Sequence, residues 1–251
     1  MTERSIEPPS FPDEVDVAIV SHDGRTTLPR VLDCLRAARA PLDRIVVFDI
    51  GSTDGTAEWL ARAWPDVKVR RLDGNVGPNP ARNWALRDAT RAALLLLDSD
   101  AYLRPDAPAL LKRTLDSDSR IGTVAPVVVH AASPATIQYA SVELHYICEA
   151  VNRWVGRPLA DRGREPCDIG SAPGVALMID VRAARAIGNW DERYFMPSVY
   201  CSGPLKPGGT TSGQRSPPFC FENSMCTPVG RMSRRVIAVV AGQLPRFSGE
   251  L

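Results

Sequence analysis

The run Ala93-Leu94-Leu95-Leu96-Leu97, followed at once by Asp98-Ser99-Asp100, constrains this chain more than any other stretch. A strand that shows one face to water alternates apolar and polar residues, and this run does not. It predicts a strand covered on both faces, the kind found inside a parallel sheet with helices above and below it.

The flanking sequence supplies those helices. Val15–Val20 reads as a strand that ends at the polar turn Ser21-His22-Asp23-Gly24, and Leu28, Val31, Leu32 and Leu35 recur at helical spacing within Thr27–Arg39. A second strand, Arg44–Phe48, stops at Asp49. The loop Gly51-Ser52-Thr53-Asp54-Gly55 then offers capping residues to a helix that runs to Ala63. A third strand, Val67–Leu72, turns at Asp73-Gly74-Asn75 into a helix over Ala81–Arg91. Such alternation predicts right-handed crossovers and an α/β fold: a three-layer α/β/α sandwich with a mostly parallel central sheet. Further strands are expected at Ile121–Val129 and Gly174–Ile179, with Ala135–Val151 mixed and a short helix at Arg182–Ile187.

The expected organisation is a flexible N-terminus over 1–14, a domain over 15–196 in two halves (15–118 and 119–196), and a tail over 197–251. That tail holds seven Pro, seven Gly, seven Ser and half of the cysteines, with no Asp. It carries about +4 against about −3 for the residues before it. Only Val236–Ala241 within it has the composition of an element. Two readings of the tail stay open, a flexible extension or sequence from a shifted reading frame, and both predict poor order.

Bulk properties narrow the function classes. A formal net charge of +1 gives no global field for nucleic acid or an anionic membrane. The apolar runs are far shorter than the roughly 20 residues that cross a bilayer, so a cytoplasmic protein is expected, resting on a membrane at most peripherally. Cys34, Cys148, Cys167, Cys201, Cys220 and Cys226 form no C-x-x-C pair, and His22, His130 and His145 are scattered, so no zinc spacing arises.

Ligands of open α/β sheets bind beyond the carboxyl ends of the strands, which points to the segments beginning at Ser21, Asp49 and Asp98. Asp98 and Asp100 stand at i and i+2, so in an extended segment they project to one side. There they would offer the hard oxygens that Mg²⁺ or Mn²⁺ takes when it also holds phosphates. Asp49 is placed to accept a hydrogen bond from a base or ribose. Asn75-Val76-Gly77 reads as a loop where backbone approaches a ligand, and Arg82 on the next helix brings a planar fork to a phosphate. Each has a plainer alternative: strand-exit acids, a turn aspartate, a surface ion pair.

Together these segments resemble the inverting family 2 glycosyltransferases of the GT-A fold. The matching stretches are Ala18-Ile19-Val20-Ser21, Val46 to Thr56, Asn75-Val76-Gly77 with Ala81-Arg82-Asn83, Asp98 to Asp100, and Gly174-Val175-Ala176-Leu177-Met178-Ile179 through Trp190-Asp191-Glu192-Arg193-Tyr194-Phe195. They span about Val15 to Met196 in the family's order. The resemblance implies that Ser21 and Asp49 lie against the nucleotide base, Asp98 near the ribose, and Asp100 on the divalent metal at the diphosphate. It further implies a nucleotide-diphosphate sugar as donor and a saccharide or lipid-linked acceptor.

Two departures stand out. Asp49 is followed by Ile50 where the family commonly has a second acid. The Tyr-Phe segment is not followed by the family's Glu-Asp pair, whose Asp is the catalytic base, and no Asp occurs after Asp191. Loss of a positioned base costs about 10²–10⁴-fold in rate. Asp191 and Glu222 are the remaining candidates for it, and donor binding with weak or absent transfer is expected. A catalytically silent nucleotide-sugar-binding module of the same fold is the alternative. The first turn lacks the G-x-G-x-x-G of a dinucleotide enzyme, and no G-x-x-x-x-G-K of a P-loop is present.

Overall fold

The computed structural model describes residues 10–144, 150–152, 154–188, 190–192 and 235–239. Its first half delivers the alternation that the sequence predicts. The order is β1 (Val15–Ser21), α1 (Leu28–Ala37), β2 (Ile45–Ile50), α2 (Thr56–Ala63), β3 (Lys68–Leu72), α3 (Pro78–Asp88), β4 (Ala93–Asp98) and α4 (Ala107–Asp116). The second half adds β5 (Ile121–Pro126) and then two small two-stranded ribbons, β6 (Val128–His130) with β7 (Ser133–Tyr139) and β8 (Val142–Leu144) with β9 (Ala150–Asn152). The main sheet then gains β10 (Cys167–Asp168), β11 (Ala176–Asp180), which leads into α5 (Val181–Ile187), and β12 (Arg235–Val239).

The main sheet has the order β10-β12-β5-β11-β4-β1-β2-β3. β4, β1, β2 and β3 run parallel, and β11 enters antiparallel between β4 and β5. After β1 the chain moves outward through β2 and β3, then crosses back to β4 on the other side of β1. The strand order thus reverses between β1 and β4, and the crevice above their carboxyl ends is where such sheets bind ligands.

Period-two alternation splits the sheet's side chains between two cores. Val17, Ile19, Val47, Leu95 and Leu97 pack with Leu28, Val31, Leu32 and Leu35 of α1, Leu60 of α2 and Leu111 of α4. Ala18, Val20, Phe48, Leu94 and Leu96 face the other way, onto Ala81, Ala85 and Leu86 of α3 and Ala184 of α5. This is the three-layer sandwich. Burying each of the four α1 side chains contributes about 2 kcal/mol, which is why that helix keeps to its apolar stripe. The leucine run of β4 is buried throughout, as its composition requires.

Some boundaries move. Asp49 lies inside β2 rather than beyond its end, because β2 stays paired with β1 and β3 past that point. α3 begins at Pro78, three residues early, since proline is well suited to a first helical turn. The long strand expected over Ile121–Val129 breaks at Val127 into β5 and β6. The one segment of the expected tail with strand composition does supply β12, which lies parallel to β5 in the main sheet.

Candidate functional site: the carboxyl edge of β1, β2 and β4

Register places Ser21 beside Asp49 and Asp49 beside Arg71, so three polar side chains form a row across the ends of β1, β2 and β3. Partners in a parallel register share a face, and parity puts this row on the face that carries α1 and α2. Asp49 is 0% exposed and Ser21 is 1% exposed. Asp49 Oδ1 accepts the Ser52 N–H at 2.9 Å. Its Oδ2 and the Ser21 Oγ are buried with no hydrogen-bond partner among the described residues. Two orphaned polar atoms at neighbouring register positions are rare in a well-packed core, which makes this spot a candidate ligand contact. The Arg71 guanidinium stands next to them: Nη2 donates to Ser52 O at 2.8 Å, while Nε lies 3.7 Å from Asp49 Oδ2.

The loops above the row are laced together. Asp23 accepts the Thr53 N–H at 2.8 Å, and its own N–H donates to Ser52 Oγ at 2.9 Å. The Arg25 N–H donates to Asp54 Oδ2 at 2.9 Å. Ser52 and Thr53 are therefore cross-links between two loops and not helix caps. Asp54 alone keeps a capping duty, accepting the Thr56 N–H at 3.1 Å. Gly51, at φ 75°, presses on the next loop, where an added Cβ would sit 2.6 Å from the Gly74 backbone.

Asp98 pairs in register with Val20 and so belongs to the opposite face, toward α3. Arg82 of α3, 1% exposed, donates from Nη2 to Asp98 Oδ1 at 2.9 Å. Of the two roles open to Arg82 in the sequence, a phosphate fork or an ion pair, the structure shows the ion pair, with Asp98. Burial pushes the Asp98 carboxyl above its ordinary value; Arg82 opposes the rise through charge and hydrogen bond, and Asp100 adds to it. Asp100 is exposed, in the turn after β4. Strand alternation therefore does not place the two aspartates on one side, as the sequence reading had it, because the extended backbone ends at Asp98. They remain close enough to feel each other's charge.

Asn75 is exposed, and its side chain accepts the Gly77 N–H at 3.1 Å, shaping the loop before α3. That helix buries Asn79, Arg82 and Asn83, three polar residues on a short element. Asn83 receives the Trp190 N–H at 2.9 Å and donates to Trp190 O at 2.8 Å and Glu192 Oε1 at 2.7 Å. Asn79 donates to Asp191 O at 2.9 Å. Asp191 is thus tied by its backbone to α3. Glu222 and the Tyr194–Met196 segment lie outside the described residues. Sequence reading missed Arg71, Asn79 and Asp23; the i, i+4 spacing of Asn79 and Asn83 was the one signal available.

The described helices include none long and apolar enough to cross a membrane. Among solved structures, GalNAc-T7 with UDP, GalNAc and Mn²⁺ superposes with a TM-score of 0.59 at 18% identity, over 90% of this chain and 42% of that one. The mannosyltransferase PcManGT from Pyrobaculum calidifontis, in complex with GDP-Man and Mn²⁺, gives 0.55 at 18% identity, over 98% and 62%. These likenesses establish the GT-A fold. The succinoglycan biosynthesis protein ExoO of Rhizobium meliloti (strain 1021) is 34% identical over 105 residues, which cover 40% of this chain and 30% of that protein. The chain therefore spans less than a third of this relative's length. Residues 16–182 match the model of glycosyl transferase family 2, a stretch that contains the carboxyl ends of β1, β2 and β4, and the chain belongs to that family.

Proposed function

We propose that this chain binds a nucleotide-diphosphate sugar across the carboxyl edge of β1 and transfers the sugar, with inversion, to a polysaccharide, glycolipid or similar acceptor. The observation that carries this reading is the division of the site. The orphaned Ser21 and Asp49 lie on one face and Asp98 lies on the other, with Asp100 exposed in the turn just beyond it. A ligand that touches both must pass over the tip of β1, as an extended nucleotide does. In this reading Ser21 and Asp49 meet the base, Asp98 the ribose, and Asn75 and the start of α3 the donor's phosphate end. Arg82 acts through Asp98, holding its carboxylate in place.

A divalent ion, Mg²⁺ or Mn²⁺, fits the residues present. Asp100 is exposed, and among the described residues it makes no hydrogen bond or ion pair. Asp98 has one oxygen engaged by Arg82. No group of three or more His, Cys, Asp or Glu gathers among the described residues. Two hard carboxylates suit an ion that takes its other ligands from phosphates and water. GalNAc-T7 was solved with UDP, GalNAc and Mn²⁺, and PcManGT in complex with GDP-Man and Mn²⁺. Such an ion would neutralise charge on the departing diphosphate.

Transfer is weak in this reading, because no Glu-Asp pair follows Phe195 to take the acceptor's proton. A nucleotide-sugar-binding module without turnover is the second reading, favoured by the same absence. Assays of donor hydrolysis and transfer on the purified chain, with Mn²⁺ and a panel of UDP-, GDP- and dTDP-sugars, decide between them. Robust turnover would overturn the impaired-transfer reading, and failure to bind any nucleoside diphosphate would overturn both.

A further inference from the structure

Beyond β9 the chain makes a tight turn over residues 154–157, in which the Arg157 N–H donates to Trp154 O at 3.1 Å. Gly156 stands third in the turn with a φ of 76°, the left-handed value that a type II turn asks of that position. The segment is fastened to β7. The Gly156 N–H donates to Ile137 O at 2.9 Å, the Ile137 N–H donates to Arg157 O at 2.9 Å, and Asn152 Nδ2 donates to Gln138 O at 3.2 Å. Ile137 is fully buried, so the turn is pinned to a fixed point. At its tip the sequence places an apolar residue. Val155 is 55% exposed, more than any other large hydrophobic side chain among the described residues. A Cβ added to Gly156 beside it would meet nothing within 4 Å, so the space at the tip is open. Trp154 is half-buried, and the Arg157 guanidinium lies 5.0 Å from its ring centroid.

We propose that this turn is a docking point for an anionic lipid bilayer, with Val155 entering the interface and Trp154 and Arg157 settling at the level of the headgroups. An apolar side chain on a turn already held in place gains by leaving water and has little order left to lose. Tryptophan favours the boundary between headgroups and acyl chains. Arginine keeps its charge among phosphates while its stem lies along apolar surface. The charge pattern selects an anionic surface. Residues 150–166 hold Arg153, Arg157, Arg162 and Arg164 against Asp161 and Glu165, and residues 119–142, which include β7, hold no Asp or Glu. Arg157 and Arg164 are exposed. Arg157 Nη2 lies 3.8 Å from Asp161 Oδ2, with both side chains open to water, so this pair is too weak to keep the guanidinium from a phosphate. A net charge of +1 gives the whole chain no long-range pull, so the contact is local and reversible. Such docking brings the chain to lipid-linked acceptors. That consequence rests on the proposed function, whereas binding to vesicles does not, and the two fail separately.

Co-sedimentation of the full chain with vesicles of phosphatidylglycerol and phosphatidylcholine, and with vesicles of phosphatidylcholine alone, tests this. The expected result is binding to the mixed vesicles that weakens at raised salt and is weaker still on the neutral ones. Val155→Asp should lower the partition coefficient about 10-fold, and Arg157→Ala about 5-fold. Val69→Asp, at a 37% exposed valine on β3, should leave it unchanged. Wild-type emission less that of Trp154→Phe isolates Trp154, and this difference should shift to the blue when mixed vesicles are added. Unfolding midpoints of each variant verify that the fold survives. The proposal is overturned if the chain does not bind the mixed vesicles, if Val155→Asp does no more than Val69→Asp, or if the Trp154 emission does not move. Binding that survives both Val155→Asp and Arg157→Ala belongs to another part of the chain and overturns it as well. Absence of vesicle binding, together with self-association that Val155→Asp abolishes, would give the tip to a second copy of the chain instead.

Discussion

Arg82 Nη2 meets Asp98 Oδ1 at 2.9 Å from a side chain that is 1% exposed, so the carboxylate at the tip of β4 is held by a charge sealed inside the protein. Removing Arg82 leaves Asp98, whose side chain is 31% exposed, with water as its remaining partner. Arg82→Met should therefore destabilise the fold by about 1.5–3 kcal/mol, the range for a hydrogen bond to a charged group, seen as a lower urea midpoint at unchanged slope. An unaltered midpoint would mean that the pair adds nothing to stability.

Asp100 should behave in the opposite manner. It is exposed and makes no hydrogen bond or ion pair among the described residues, so Asp100→Asn should change the unliganded stability by no more than about 0.5 kcal/mol. The cost should appear only with ligand. The wild-type melting temperature should rise with a nucleoside diphosphate plus Mn²⁺, following mass action, and most of the metal-dependent part should vanish in the variant. An Asp100→Asn protein with a full Mn²⁺-dependent shift would remove this residue from the metal site.

Two glycines with similar backbone angles should respond differently to alanine. Gly51 and Gly55 have φ of 75° and 81°, so either substitution incurs about 1–2 kcal/mol of backbone strain. At Gly55 the new methyl meets nothing within 4 Å, whereas at Gly51 it lands 2.6 Å from the Gly74 backbone. Gly51→Ala should cost about 3 kcal/mol or more in all, and it should also weaken nucleotide binding because the loops after β2 and β3 are forced apart. Equal urea midpoints for the two variants would contradict the close approach.

Acid should loosen the loop lacing through Asp54. Its slight burial acts to raise the carboxyl's pKa, but hydrogen bonds from the Thr56 hydroxyl, the Arg25 N–H and the Thr56 N–H outweigh it, and the net shift is downward. Between the lowered folded value and the ordinary one, the unfolded chain binds more protons, so stability falls as pH falls through that window. Above the ordinary value the contribution is complete. Asp54→Asn should flatten this part of the stability–pH curve below the ordinary value of 3.8, as followed by denaturant midpoints. An unchanged slope would show that the lacing carries no charge-dependent stability.

The fold was legible because strand identity is written in composition. A run such as Leu94–Leu97 is satisfied only between two helical layers, and the stripe Leu28, Val31, Leu32, Leu35 only on a helix. The strand ends were legible to within a residue or two, which is why Ser21, Asp49 and Asp98 could be singled out as candidates. What those side chains do to one another was not. That Asp98 and Ser21 occupy opposite faces follows from pairing register, and that Arg82 serves Asp98 follows from where α3 crosses the sheet. Arg71 stayed hidden for the same reason. In the sequence it is one of two adjacent arginines on an edge strand, an ordinary way to blunt a sheet edge, and only the β2–β3 register brings it to Asp49.

The fastening of residues 190–192 to α3 through Asn79 and Asn83 has a consequence for how such a chain diverges. The same helix holds Asp98 by Arg82 and has the carbonyls at its far end gathered by Arg185, which donates to Leu86 O at 3.0 Å from Nε and to Ala89 O at 2.8 Å from Nη2. One helix thus fastens residues 190–192, the tip of β4 and α5 together. A change downstream of residue 192 that keeps β12 in the sheet would therefore leave that helix, and the strand ends it braces, standing.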